Sequence, residues 1–172
     1  MLALVTNTII LVASLASLAG PPQIVTTHLP HEASDVQALG ALVGEWQTDT
    51  VDGVSARSSC AWTPRHGAVL CEQRIERKAG WSSALNLFTA DSTDGAYALY
   101  VLSRSGDAMS PIPLVIRGRQ WYYGGTAPSA DGRFYRTVND FSQTDVYTWR
   151  QETSADGKEW TAGIHGQSRR IR

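Results

Sequence analysis

The sequence has no excess of charge of either sign. It also lacks the clustered basic motifs that accompany a positive excess. Its 172 residues hold 15 Lys and Arg against 16 Asp and Glu, a formal net charge of −1 at pH 7. No basic cluster is interleaved with aromatic residues, as a nucleic-acid-binding surface would require. A near-neutral chain also generates no field that attracts nucleic acid or an anionic membrane. We therefore expect a partner of neither kind.

Common catalytic and metal-binding motifs are absent from the sequence as well. It has no Gly-x-Ser-x-Gly, no glycine-rich phosphate loop and no His-Glu-x-x-His. His28 and His31 could hold a metal between them, but they lie in a proline-rich stretch where solvated histidines are expected. We predict no metal, no cofactor and no catalytic residue.

The first nineteen residues contain no charged side chain, and residues 9–18 form an apolar block. This block is shorter than the roughly 20 apolar residues of a membrane-spanning helix, and it ends in Ser17, Leu18 and Ala19, a plausible signal-peptidase site. No cysteine directly follows it, which excludes a lipoprotein. We predict a signal peptide over residues 1–19, with an uncleaved anchor as the alternative. The protein would then be periplasmic or secreted, without stable membrane association after cleavage.

Residues 20–33 contain three prolines and no periodicity, which predicts a flexible tether before a single domain over residues 34–172. Ser34 and Gln37 form a capping-box pattern at the start of this domain. The apolar residues at 36, 39, 42 and 43 then share one helical face, and Gly44 follows them. One short amphipathic helix is expected here.

Everything after Gly44 has the pattern of strands. Runs rich in Val, Ile, Thr, Tyr and Trp are separated by four Asp-Gly dipeptides, which favour the tight turns of β-hairpins. No helical pattern interrupts the runs, so the connections are hairpins and the sheet is an antiparallel meander. Closure of about nine strands removes the exposed edges, and we predict an all-β fold: a single antiparallel β-barrel after one short helix. The predicted strands are residues 46–51, 54–63, 68–77, 81–91, 96–104, 112–124, 132–141, 144–155 and 158–170.

The sequence contains only two cysteines, Cys60 and Cys71. A metal clip, a redox pair, a catalytic thiol and a structural disulfide are the alternatives for them. If residues 64–67 form a four-residue loop, Thr63 pairs with Ala68 and the cysteines are directly opposed, within reach of a disulfide. A zinc site would need further ligands, and a redox pair normally has Cys-x-x-Cys spacing. For an exported chain we therefore predict the disulfide.

The register of the last hairpin can be counted in the same way. With Asp156 and Gly157 at the turn, Thr153 pairs with Trp160, and Trp149 pairs with Ile164. One face of the hairpin is then apolar and the other polar, and we expect the apolar face to line the barrel interior. The apolar face carries Tyr147, Trp149, Trp160, Ala162 and Ile164.

The stretch LGALVGEWQTDT places a short helix ahead of Gly44, Glu45 and Trp46 on the first strand. It resembles the Gly-x-Trp signature of lipocalin-type (calycin) barrels. Over roughly residues 38–172 the chain is similar to exported bacterial lipocalin-like domains of unknown function. The resemblance implies a barrel with a ligand-sized cavity, in which Trp46 closes one end and Arg169 or Arg170 packs over its ring.

His165 has to be considered as a haem ligand, because nitrobindin-like barrels bind haem through a histidine near the C-terminus. The predicted register places His165 with Thr148 on the solvent-facing side of the last hairpin. A haem ligand at this position would require a one-residue slip, or a bulge at Gly163 or Gly166. We expect a surface histidine.

Candidate ligand-binding residues lie in the stretch LVIRGRQWYYGG, predicted as one strand, and in the last hairpin. Arginines and aromatic residues alternate on one face of this strand and could meet a carboxylate or phosphate head group at the barrel mouth. The alternative is an exterior stripe in which the arginine stems cover neighbouring rings. The predicted ligand site comprises Arg117, Arg119, Trp121, Tyr123, Tyr147 and Trp149.

From the resemblance and these residues we expect an exported barrel that binds a small, partly apolar ligand, with an anionic head group as one option. A barrel enzyme of isomerase or cyclase type is the alternative, and it would need a buried acid or base. Asp140 and Tyr100 are open to that role, although nothing singles them out. A structural or partner-binding module is a third interpretation, which a filled core without a cavity would favour.

Overall fold

The structure, a computed structural model, describes residues 35–50, 54–90, 96–103 and 111–172. The predicted signal peptide and the tether with its two histidines lie outside these residues, and so does Ser34. Within the described part of the chain, no helix has both the length and the apolar character needed to cross a membrane.

The described residues form one short 3₁₀ helix followed by ten antiparallel strands that close into a barrel. Each strand pairs with its sequence neighbour, and the first strand pairs with the last. The predicted antiparallel meander barrel is confirmed, with ten strands instead of about nine. The helix is Val36–Leu42, and strands β1 to β10 are Gly44–Thr50, Ser55–Trp62, Ala68–Arg77, Gly80–Ala90, Tyr97–Ser103, Ile112–Arg117, Gln120–Gly124, Phe134–Asp140, Val146–Ser154 and Thr161–Arg170.

The additional strand arises because the stretch predicted as one strand over residues 112–124 is a hairpin. Arg117 at the end of β6 pairs directly with Gln120 at the start of β7. The intervening Gly118 has φ of 58°, a left-handed conformation that glycine adopts without steric cost. A two-residue turn therefore reverses the chain where the sequence has Arg-Gly-Arg instead of Asp-Gly.

The register of the last hairpin also differs from the prediction. Thr153 pairs with Thr161 instead of Trp160, and Trp149 pairs with Gly166 instead of Ile164. Side chains lengthen the loop: the Asp156 carboxylate accepts hydrogen bonds from two backbone N–H groups, at 2.8 and 3.0 Å. A bulge between residues 162 and 165 shifts the pairing once more.

The helix covers one end of the barrel, and the burial of its two leucines explains its position. The carboxylate of Asp35, instead of a Ser34 cap, accepts a hydrogen bond from the backbone N–H of Gln37 at 2.9 Å. Leu39 and Leu42 are buried against the barrel interior. The apolar face predicted for this segment therefore points inward, although the helix is of the tighter 3₁₀ type.

Trp46 lies beneath the helix and is only 2% exposed. Its indole N–H donates to the carbonyl of Leu42 at 2.7 Å. The guanidinium of Arg170 lies over the Trp46 ring, 4.3 Å from its centroid, and also donates to the carbonyl of Val43. Of the two arginines considered, it is Arg170 that contacts the tryptophan, and an ion pair of 3.2 Å with Asp145 holds it.

The disulfide between Cys60 and Cys71 is confirmed. The two residues are directly opposed in the ladder of β2 and β3 and are covalently linked. The backbone N–H of Thr63 donates to the carbonyl of Ala68 at 2.9 Å, which closes the four-residue loop as predicted. Both cysteines are buried on the inner face of the barrel.

The disulfide closes a short loop, with a sequence separation of 11. In the chain-entropy account such a loop contributes about 2.5–3 kcal/mol to stability. We predict that the Cys60→Ala/Cys71→Ala protein is destabilised by this amount in urea unfolding, and that a reducing agent destabilises the wild type but not the variant. Equal unfolding free energies with and without the disulfide would contradict the prediction.

Trp46→Ala should cost about 3–5 kcal/mol, because it opens a large cavity where the ring now fills the end of the barrel. The matched control is Trp81→Ala, since Trp81 is 52% exposed. That change should cost less than about 1 kcal/mol. Urea unfolding of both variants tests the difference, and a similar small loss for the two would show that Trp46 does not close the barrel.

Candidate ligand cavity

A cavity of about 130 Å³ lies inside the barrel. It forms because alternate residues of each strand point inward, and the inward side chains of the lining strands do not fill the space completely. The apolar part of the lining consists of Leu42, Trp46, Phe88, Leu99, Val101, Tyr123, Tyr147, Trp149 and the disulfide. The polar part consists of Thr48, Ser58, Gln73, Asn86, Thr137, Asn139 and Gln151.

Every polar side chain in this lining is an uncharged amide or hydroxyl. Asp140, which was open to an acid–base role, does not line the cavity, and one of its carboxylate oxygens accepts from Gln120 at 3.1 Å. Tyr100 does not line the cavity either. None of the described carboxylates lines this cavity, and the titratable side chains that do are those of Tyr123 and Tyr147.

The two cavity tyrosines are held by hydrogen bonds and stay uncharged near neutral pH. Burial raises the pKa of Tyr147, and hydrogen bonds to Ser168 and Thr48 only partly oppose this effect. Thr48 and Ser168 also bond to each other, with 2.5 Å between their hydroxyl oxygens. Burial likewise raises the pKa of Tyr123 well above its ordinary value, and its hydroxyl accepts from the Asn139 amide at 3.3 Å.

Trp149 contributes the one buried side-chain nitrogen of the described residues that has no hydrogen-bond partner. The residue is 6% exposed and lines the cavity. Its ring packs closely on β10, where Gly166 leaves room: a Cβ at that position would lie 2.7 Å from the ring. A buried N–H without an acceptor costs about 1–3 kcal/mol, and this one has no surface open to the cavity.

The structure separates the six residues of the predicted ligand site. Tyr123, Tyr147 and Trp149 line the cavity, whereas Trp121 is buried beside Phe141, with ring centroids 4.7 Å apart, and does not line it. The two arginines lie apart from this group, on the exterior. The site is therefore divided between the inside and the outside of the barrel.

The turn at Gly118 explains the position of the arginines. The chain reverses after Arg117, Arg119 lies in the turn, and the aromatic residues lie on the next strand. The predicted alternation on one face is therefore wrong. Arg117 is exposed and lies over the outward ring of Tyr122, 5.6 Å from its centroid. Arg119 is exposed in the turn and donates to the carbonyl of Ser142 at 3.1 Å. For Arg117 the alternative interpretation applies, because this arginine lies on the exterior against a neighbouring ring.

The outer face of β8 and β9 carries a charged cluster that the sequence did not indicate. Glu152 is buried, and its two oxygens accept from Arg136 at 2.5 Å and from Arg150 at 2.6 Å. Trp160, expected inside the barrel, covers Arg136 with its ring centroid 3.9 Å away. Arg136 and Glu152 are directly opposed in the pairing of β8 with β9. A correct prediction of that register would therefore have indicated the cluster.

His165 is exposed on β10. In the described part of the chain, no three His, Cys, Asp or Glu side chains come together closely enough to hold a metal ion.

In comparisons with known proteins, no family model and no curated protein matches this chain. The fold and the site define a closed antiparallel β-barrel with a small interior cavity, an aromatic and amide lining, and a disulfide on its wall.

The Glu152 cluster predicts a pH dependence of stability. Burial by itself would raise the pKa of Glu152, but the hydrogen bonds and charges of Arg150 and Arg136 outweigh it, so the pKa lies below its ordinary value. The carboxylate therefore stabilises the fold above about pH 4.5, and this contribution disappears as the pH falls through the lowered pKa. Glu152→Gln should cost about 1–2 kcal/mol at pH 7 in urea unfolding.

The difference between wild type and Glu152→Gln should shrink steadily when unfolding is repeated below pH 4.5. Glu76→Gln is the matched control, because Glu76 forms an exposed ion pair with Arg74 at 3.2 Å. An exposed pair is worth little, so this change should cost less than about 0.5 kcal/mol. A pH-independent loss for Glu152→Gln would show that packing, not charge, is responsible.

Proposed function

We propose that this protein is an exported, lipocalin-like barrel that binds a small, partly apolar ligand in its interior cavity. The observation that carries the proposal is the lining: aromatic rings and uncharged hydrogen-bonding groups surround one space inside a closed barrel. Ligand pockets have this composition, apolar walls with a few placed polar groups. A barrel whose only task is structural would be expected to fill this space with side chains.

The size of the cavity limits the ligand. Its volume of about 130 Å³ is well below the roughly 300–1,000 Å³ of pockets for drug-sized molecules. A dry apolar cavity of about 150 Å³ takes up benzene. The proposed ligand is therefore of the order of a single ring with a short substituent.

Two features support the lipocalin-like and exported parts of the proposal. A buried disulfide favours an oxidising compartment, in agreement with the apolar N-terminal segment of the sequence. The contact between Trp46 and Arg170 has the arrangement that the calycin resemblance implies. An anionic head group receives no such support, because Arg117 and Arg119 lie away from the cavity.

The test fills the cavity and measures binding of indole. Indole is a neutral aromatic molecule about as large as a single ring with a short substituent. Thr137→Phe places a ring in the cavity lining, whereas Thr148→Phe makes the same change at an exposed position of the neighbouring strand. Indole should raise the melting temperature of the wild type and of Thr148→Phe but not of Thr137→Phe. Circular dichroism checks that both variants fold, since overpacking costs about 1–3 kcal/mol.

Persistence of the indole effect in Thr137→Phe would place binding elsewhere and contradict the proposal, as would its absence from all three proteins. Native mass spectrometry of the wild type purified from its own organism then identifies the natural ligand. A co-purified small molecule should be present in the wild type and lost in Thr137→Phe.

A further inference from the structure

A second cavity, of about 130 Å³, lies on the outer surface of the barrel and is called the outer cleft below. Its lining includes Arg117 on β6, Tyr122 on β7 and Arg136 on β8. Trp160, in the connection before β10, forms another part of the wall. Among the described residues that line the outer cleft, the only charged side chains are the two arginines. The cleft therefore has a positive lining, whereas the interior cavity has an uncharged one.

The strand register brings the two arginines to the same aromatic ring. Tyr122 pairs with Val115 on one side and with Val138 on the other. Arg117 and Arg136 each lie two residues from these partners, on opposite sides of β7. Both guanidinium groups lie over the Tyr122 ring, with their Cζ atoms 5.6 and 5.1 Å from its centroid. An ion above this ring would meet hydrogen-bond donors from two different strands.

Arg136 is held in place and still has donors to offer. Its guanidinium lies 3.9 Å from the centroid of the Trp160 ring, and its Nε donates to Glu152 at 2.5 Å. A Cβ at position 125 would lie 2.9 Å from the Trp160 ring and 3.2 Å from the Cβ of Arg136, so Gly125 leaves the room for this contact. The donors of a guanidinium lie in its plane, where ring contacts do not use them. Its two terminal nitrogens donate to none of the described residues.

The charges around the outer cleft do not cancel. Glu152 binds both Arg136 and Arg150, is 6% exposed and does not line the cleft. Arg117 forms no ion pair with any described residue. Asp140, further along β8, accepts from a glutamine amide and pairs with none of these arginines. Three guanidinium groups therefore share one carboxylate, which leaves an excess of two positive charges beside the cleft.

We infer that the outer cleft is a binding site for a phosphate group, held between Arg117 and Arg136. A phosphate group carries close to two negative charges at pH 7, which matches the positive excess. Its oxygens point in several directions, so guanidinium groups on two strands can bind it at once. A carboxylate has one charge and two oxygens in one plane, and it satisfies this arrangement less well. The site is separate from the interior cavity, and the inference does not depend on the proposed function.

The phosphate group can belong to inorganic phosphate or to a phosphate monoester, and isothermal titration at low ionic strength distinguishes these sources. The probes are inorganic phosphate, phenyl phosphate and benzoate. Both phosphates should bind at least about fivefold more tightly than benzoate. Equal affinity for the two phosphates supports a site for the free ion, and tighter phenyl phosphate supports a site for a monoester. Benzoate binding as tight as that of either phosphate overturns the inference.

Arg117→Gln should weaken the binding of inorganic phosphate about five- to tenfold, because it removes a charged donor from the cleft. Arg119→Gln is the matched control: it makes the same change of charge in the same hairpin, at an exposed residue outside the cleft lining. This control should stay within about twofold of the wild type. An equal loss in the two variants would show attraction by net charge alone and would overturn the site.

Arg136→Lys keeps the charge but removes the planar set of donors that binds Glu152 and the ligand together. It should weaken phosphate severalfold. Retention of full affinity would show that Arg136 does not bind the ligand, and circular dichroism checks that the variant folds.

A further measurement needs no variant. In the wild type, phosphate should shift the backbone amide resonances of Gly125 and Gly157, which line the outer cleft. Those of Gly67 and Gly80, which do not line it, should stay unmoved. Unmoved resonances for all four glycines at millimolar phosphate overturn the inference. Indole, the probe of the interior cavity, should not displace phosphate, and displacement would contradict two separate sites. Failure of phosphate to bind leaves the indole test of the interior cavity unaffected.

Discussion

The pairing of β1 with β10 is the constraint on which the rest of the barrel depends. This ladder closes the sheet, and within it Trp46 is directly opposed to Arg170. Arg170 also donates to the carbonyls of Val43 and Ala41, at the end of the helix. Closure of the sheet, coverage of one end and placement of the helix are therefore linked, because the same guanidinium contacts all three parts.

The cavity follows from the same closure, through the small residues of β10. Gly166 leaves space for the Trp149 ring, and the Ser168 hydroxyl bonds to Thr48 across the closing ladder and to Tyr147 on the neighbouring strand. Larger residues at these two positions would push the rings of β9 into the cavity. The aromatic wall is thus a property of the β9–β10 pair and not of β9 alone.

The sequence predicts this fold well wherever a turn is encoded by backbone preference alone. The loop between Thr63 and Ala68 allowed simple counting, and counting opposed the two cysteines correctly. It failed in the last hairpin, because Asp156 uses its side chain to cap a longer loop and a bulge follows. A one-residue error there reverses the face, which is why Trp160 was expected inside and lies outside. The cavity and the charged cluster both depend on the register of several strands. No local sequence pattern specifies that register.

Among the described residues, no charged side chain lines the cavity, and this bears on recognition. Charge is paired on the outer face, where Arg136 and Arg150 neutralise Glu152 and water screens the remainder. Inside, the polar groups are amides and hydroxyls, for which a missing partner is penalised more than a good partner is rewarded. In the proposed ligand-binding role, such a cavity would discriminate chiefly by rejection, since a ligand that leaves a lining amide unpaired would lose much of what it gains by burying its ring. Under this proposal, we expect such a lining to favour selectivity over high affinity.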